Sequence, residues 1–411
     1  MIETHDTASA ESTPAAGAPA QDLAFLIYSP FPKYSGGREN WLHHIAPHLR
    51  QRGMHVRVIA YRSNRLPFYS LEQSGIEVVA LQSIRYLDAA FLMASRLSLG
   101  MLKYLDLYMI YPIIALIYLR RHPPSRLVCM NPMPEGLAAR LAGVPYVVSV
   151  RGDVAKSIAS HYRFLERPQR WLEIRILRHA QRVLANGRDT QKRLETIGVA
   201  SSLVPNGVDF GKFSTGAGPD LLGPRIEVKA AGRPVIAYIA TMQAIKGADD
   251  AIECAAELKM RGVSFLLAMV GKGDTTPFKK RSHELGLDGY VEFFGETSSV
   301  VAVLRRASVF LGISKENGMS MSALEAMAAG VPVVARNVLT YSQLIDDGTS
   351  GLLGANPAEL AECCARMLRD PGEARAMAAR AQARARQYDW PQVAQVLLDE
   401  LNQHGNVAAA G

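Results

Sequence analysis

Cysteine is scarce in this chain, and its four residues, Cys129, Cys254, Cys363 and Cys364, form neither a CxxC pair nor a cluster with histidine. That excludes a disulfide framework, offers no zinc-ligand spacing and fits a reducing compartment. No GxGxxG motif follows a strand-like run, which counts against a dinucleotide site. Runs of Lys or Arg, RNP motifs and zinc fingers are also missing, so nucleic acid is not an expected partner. Residues 1–22 (MIETHDTASAESTPAAGAPAQD) have no hydrophobic stretch and read as a disordered tail rather than a signal peptide.

What is present is an ordinary globular composition, 48% apolar and 20% charged over 411 residues, long enough for two hydrophobic cores. The formal charge of +8 favours an anionic partner or reflects a solvated basic surface. One apolar run, Leu107–Leu119 (LYMIYPIIALIYL), is too short to span a bilayer, contains Pro112 and is followed by Arg120 and Arg121. Two readings stand for it. It is either a buried helix or an amphipathic surface lying on a membrane, with Leu107, Ile110 and Ile114 as the test positions.

The periodicity predicts an α/β protein. Ala24–Ser29, Val56–Tyr61, Ile76–Ala80, Leu127–Met130 and Tyr146–Val150 read as strands of one parallel sheet, with a helix over 39–52. Pro205–Asp209 and the Gly/Pro-rich 214–224 read as a linker, after which the alternation restarts at Val235–Ile239. Strands at 265–270, 309–312 and 331–335 and helices at 248–261 and 323–329 follow. The expected division is a first Rossmann-like domain at 23–213 and a second at 214–389. A C-terminal helix near 390–405 is expected to fold back on the first.

Ligands of open parallel sheets bind beyond the carboxyl ends of the strands, so the loops there carry the chemistry. Gly36 and Gly37 precede a helix whose amides and dipole suit a phosphate. Arg151, followed by Gly152 and Asp153, ends a strand where a guanidinium meets an anion or sugar hydroxyls. Lys246 opens a helix and suits a diphosphate leaving group, against the plainer reading of a surface lysine. In SKENGMSMSALEAMAAGVPVVA, amides at Gly318–Ser320 open a helix and Glu325 lies within it. A carboxylate in so apolar a helix needs a partner, either ribose hydroxyls or its own loop.

Taken in order, GG-x-E at 36–39, PNGVDFGKF at 205–213, the Lys246-Gly247 loop, VGKGD at 270–274 and LEAMAAGVPVVA resemble retaining glycosyltransferases of family 4, also called group 1. The resemblance runs over almost the whole chain after the tail. It implies the GT-B fold, two Rossmann-like domains facing across a cleft that holds a UDP- or GDP-sugar. It places Glu325 on the ribose, Lys246 on the diphosphate and the Gly318, Met319 and Ser320 amides on the donor sugar. Gly36 and Gly37 approach the phosphate, Thr241, Gly271, Glu316 and Asn317 complete the donor side, and Glu39, Arg151 and Asp153 face the acceptor. Lys246, Asn317, Glu325 and Arg151 are the expected catalytic set.

The same resemblance implies retention of anomeric configuration with no cofactor and no obligatory metal. The leaving phosphate would help deprotonate the acceptor, while positioning and electrostatics supply the catalysis. Three positions depart from the family pattern. Asn317 stands for a glutamate with Glu316 one residue early, Thr241 stands for an arginine, and Arg151 for a histidine. Asn317 and Thr241 motivate a rival reading, a weakened GT-B protein that binds a sugar nucleotide or an assembly partner without transfer. A nicotinamide oxidoreductase is a weaker rival. The basic charge and the 107–119 run suggest a saccharide or lipid-linked saccharide acceptor in surface-polysaccharide assembly. They point to a cytoplasmic enzyme in peripheral contact with the anionic inner membrane.

Overall fold

The computed structural model describes residues 22–28, 37–62, 71, 74–82, 109–151, 166–316 and 318–403. The expected tail, apart from Asp22, lies outside them, as do Gly36, Asp153 and Asn317. The chain forms two α/β domains of wholly parallel strands. The first sheet runs β3-β2-β1-β4-β5-β6-β7, from β1 (Asp22–Ile27), β2 (His55–Arg62), β3 (Glu77–Gln82), β4 (Arg126–Cys129), β5 (Val147–Val150), β6 (Arg182–Ala185) and β7 (Ser202–Leu203). The second runs β10-β9-β8-β11-β12-β13, from β8 (Val235–Ile239), β9 (Leu266–Val270), β10 (Val291–Gly295), β11 (Val309–Gly312), β12 (Val333–Arg336) and β13 (Leu352–Gly354).

Both sheets reverse strand order once, between β1 and β4 and between β8 and β11, which creates a crevice at the carboxyl edge of each. The central strands are continuous apolar runs because helices cover both faces. In β1, Leu23, Phe25 and Ile27 point to one side, against α1 (Gly37–Gln51) and the last helix. Ala24 and Leu26 point to the other, where α2 (Tyr111–Arg121), α3 (Leu137–Ala142) and α4 (Glu166–His179) pack. Next come α5 (Arg188–Thr196), α6 (Phe210–Thr215), α7 (Ala248–Met260) and α8 (Met321–Ala328), and the last helix is α9 (Trp390–Asn402).

The described part of the 107–119 run is a helix buried on one side and exposed on the other. Pro112 does not interrupt the helix but sits in its first turn, where a missing N–H costs nothing. Tyr111, Ala115 and Leu119 are buried and Ile114 packs against the core, while Met109, Ile113 and Ile117 face outward. Leu107 lies outside the described residues. The sequence-based choice of Ile114 as a surface position is therefore corrected: Ile113 and Ile117 hold that place.

The linker region contains helical structure. Asp209 caps α6 through the Lys212 N–H at 2.9 Å, and residues 204–208 are buried. There the chain meets its returning segment: the Val208 N–H donates to the Tyr388 carbonyl at 2.9 Å, and Trp390 N–H donates to the Val208 carbonyl at 3.3 Å. Trp390 is buried in the first domain's core and stacks on His44, with ring centres 5.0 Å apart. Trp390→Ala should lower stability by about 3–5 kcal/mol, the usual cost of emptying a tryptophan site, measured by chemical denaturation. A loss under ~1 kcal/mol would show that α9 docks without this anchor.

Candidate functional site

A cavity of about 380 Å³ lies between the carboxyl edges of the two sheets, a volume suited to part of a small ligand. The first domain lines it with Arg151, Asn186 and Asn206. The second contributes Tyr238 of β8, Thr241 just after it, Lys246, Ile313, Ser314, Glu316 and Gly318–Ser322, and Thr340 with Tyr341. A broader depression of about 600 Å³ sits on the outer face of the second domain, near Glu253 and Arg281. Those two charges already pair with each other at 3.8 Å, and the depression lies away from the strand ends where chemistry is expected.

Lys246 reaches the cleft because Gly247 turns the chain with φ 83° directly against β11's exit. A Cβ at residue 247 would fall 2.3 Å from the Ile313 carbonyl oxygen. Tyr238 fixes the turn by donating its hydroxyl to the Lys246 carbonyl at 3.1 Å. Lys246 Nζ forms an ion pair with Glu316 across the loop. Gly271 does not line the cavity. It lies behind, at φ 151°, where a Cβ would come 1.8 Å from the Ala240 carbonyl oxygen, so it lets the β9 loop back the Thr241 segment.

The loop before α8 is held by both domains. Gly318 donates its N–H to Asp189 at the start of α5, and its carbonyl accepts from Gln343 Nε2 at 2.9 Å. The Met319 carbonyl accepts from Asn206 Nδ2 at 3.0 Å. Thr340 Oγ1 donates to the Glu316 carbonyl at 2.7 Å, and the Ser314 N–H donates to the Tyr341 hydroxyl at 2.9 Å. Ser320 caps α8 by accepting from the Ala323 N–H at 3.3 Å. Burial raises the Asp189 carboxyl, while the Gly318 and Thr190 amides pull against that rise.

Arg151 follows β5 and is held on every side. It bonds Ser149 Oγ at 3.0 Å, Asn206 Oδ1 at 2.8 Å and the Val204 carbonyl at 3.4 Å, and stacks 3.6 Å over Trp41. Burial lowers its pKa from the usual arginine range, and no carboxylate among the described residues pairs with it. A fixed guanidinium on the cavity wall without an anionic partner is a ready anion site.

Glu325 lies outside the 380 Å³ cavity, on α8 one turn beyond Met321 and Ser322, which line it. Residues three and four apart share a helix face, so the carboxylate extends the cavity wall toward α6. It is half-buried and makes no hydrogen bond or ion pair among the described residues. Burial pushes its carboxyl up to about 7, and Lys212 on α6 works in the opposite direction.

Glu39, in the first turn of α1, pairs with Arg38 at 3.6 Å, and Gly37 begins that helix. Arg38 also reaches Glu135, a fully buried residue after β4 that drew no attention in the sequence. Glu135 Oε1 accepts from the Tyr28 N–H at 2.8 Å, Oε2 has no partner among the described residues, and burial pushes the carboxyl up to about 7. Asn186 and Asp189, which follow the four-residue strand β6, are likewise absent from the residues that the sequence singles out. The available signal was the Asn-Gly turn after RVLA. Among the described residues, no cluster of His, Cys, Asp or Glu could hold a metal ion.

Residues 36–207 match the model of the glycosyl transferase 4-like domain, and residues 224–384 match that of the glycosyl transferases group 1. The chain is 29% identical to D-inositol 3-phosphate glycosyltransferase of Nocardia farcinica, over 58% of this chain and 57% of that relative. It is 30% identical to 2-deoxystreptamine glucosyltransferase of Streptomyces kanamyceticus, over 57% of this chain and 64% of that one. Each match therefore spans less than two thirds of the relative's own length. Anabaena HepE, solved with UDP, shares the fold with a TM-score of 0.72 at 20% identity, covering 93% of this chain and all of that one. It has also been solved with UDP-glucose.

Proposed function

The chain belongs to the group 1, family 4-like glycosyltransferases of GT-B fold, and from that premise we propose that it moves a sugar from a nucleoside-diphosphate sugar to a saccharide or lipid-linked saccharide. The observation that carries the reading is the pair of cations, Arg151 and Lys246, brought to one cavity from the two domains. The UDP and UDP-glucose complexes of HepE support a UDP-linked donor, with GDP as the second choice.

In this reading Glu325 accepts from the ribose hydroxyls. Lys246 leaves Glu316 and neutralises the departing diphosphate, and Arg151 holds the phosphate or acceptor on the first domain's side. The Ser320 end of α8 presents its amides to the donor sugar. The glycosidic bond to the leaving phosphate oxygen breaks, the acceptor hydroxyl attacks the same face, and its proton passes to the released phosphate. Configuration is then retained, no side-chain base is needed and no metal is obligatory.

A second reading, donor binding without transfer, draws on Thr241, which faces the cavity without the charge of an arginine. A thermal-shift screen against UDP, GDP, ADP, their sugar conjugates, NAD and NADP tests the assignment. Stabilisation by one nucleoside diphosphate is expected. Stabilisation by NAD alone would overturn it. Binding of a donor with no nucleotide release, even with saccharide acceptors, would favour the second reading.

A further inference from the structure

No described helix is long and apolar enough to cross a membrane, yet one face of the first domain is unlike the rest of the surface. Helices α2, α3 and α4 lie side by side on the sheet face opposite α1 and α9. Arg120 ties α2 to the Leu141 carbonyl of α3 at 3.1 Å, and Arg140 of α3 bonds the Arg175 carbonyl of α4 at 2.8 Å. Their outward positions, with Met109 just before α2, are Ile113, Ile117, Leu141 and Trp171, all five between 43% and 58% exposed. That is half of the exposed large apolar side chains among the described residues, gathered on three adjoining helices and the residue leading into α2.

The surrounding charge is mainly positive. Arg120 and Arg121 end α2, while Arg167, Arg175 and Arg178 share the exposed side of α4 with Trp171, and Arg175 stacks over that ring at 4.6 Å. The described acids between residues 109 and 179 do not offset them. Glu135 and Glu173 are buried, and Glu166 is held by Arg170. An apolar stripe with a tryptophan and flanking arginines matches the chemistry of a bilayer interface. A second copy of the chain fits poorly, because a two-fold contact would set these arginines against one another.

We propose that the outer face of α2, α3 and α4 docks on an anionic lipid bilayer, with Ile113, Ile117 and Trp171 entering the headgroup boundary and the arginines meeting lipid phosphates. This surface rests on the lipid-linked acceptor reading only for its purpose. Its test reads binding rather than transfer, so either can fail alone.

Sedimentation of the full chain with phosphatidylcholine vesicles, with and without phosphatidylglycerol, is the experiment. Binding to the anionic vesicles is expected, weakening as salt rises. Arg121→Gln, Arg167→Gln and Arg175→Gln should each lower the partition coefficient about fivefold. Ile113→Ser with Ile117→Ser and Trp171→Ala should lower it about tenfold or more. Met260→Ser, at an exposed apolar residue of the second domain, should change nothing. Each variant's melting temperature and nucleotide-induced shift check its fold. Unchanged binding in folded variants would overturn the proposal. So would a concentration-dependent dimer that the apolar substitutions abolish.

Discussion

Glu325→Ala weakens donor-nucleotide binding about 10- to 100-fold, the range expected when a carboxylate's hydrogen bonds to two hydroxyls are lost. The carboxylate is half-buried and makes no hydrogen bond among the described residues, so the charge of Lys212 offsets its desolvation only in part. A ribose would supply the missing donors. Titration of the nucleoside diphosphate into both proteins measures the loss, and equal affinity would remove Glu325 from the donor site.

The pH dependence has a definite sign. Burial pushes the Glu325 carboxyl from 4.5 up to about 7, and ribose hydroxyls bond best to the ionised form. Donor affinity should therefore rise between pH 6 and about 8 and then flatten, a trend that Glu325→Gln abolishes. Stability runs the other way. A raised folded-state pKa contributes stability that is complete below the unfolded value of 4.5 and is lost as pH rises through about 7. In the absence of ligand, the glutamine variant should therefore gain on the wild type as pH rises from 5 to 8.

Lys246→Ala should lower kcat about 10²- to 10³-fold, the usual effect of removing one preorganised group from a developing charge. Donor affinity should fall less, because the lysine's ground-state charge is already engaged by Glu316. Glu316→Gln should accordingly tighten binding of a free nucleoside diphosphate, since Lys246 no longer has to leave a carboxylate. In the double variant that gain should vanish. Additive effects of the two substitutions would place Lys246 away from the diphosphate.

The sheets were legible because buried parallel strands are continuous apolar runs, as in AFLI of β1 and VVA of β12. The α8 loop was legible because Gly318, Ser320 and the apolar helix follow in a capping order. What escaped was long-range. The Lys246–Glu316 pair joins residues 70 apart, and the Gly318–Asp189 contact joins residues 129 apart, with no local periodicity to announce either. Strand β6 was not among the strands read from the sequence, and Asn186 and Asp189 after it went unread with it. The exposed face of α2 was misread by one residue because Ile113 and Ile114 are identical side chains in an uncharged run. Only packing distinguishes them. Glu325 was found from its isolation in LEAMAAG, but its place one turn past the cavity wall comes from the fold.

The most direct test of the central claim is amide hydrogen exchange, with and without a saturating concentration of the nucleoside diphosphate that stabilises the protein. A donor site in the cleft predicts added protection at 239–248 and 312–325, with α7 and the outer face of the second domain unchanged. Protection confined to the first domain, or absent from both of those segments, would contradict it.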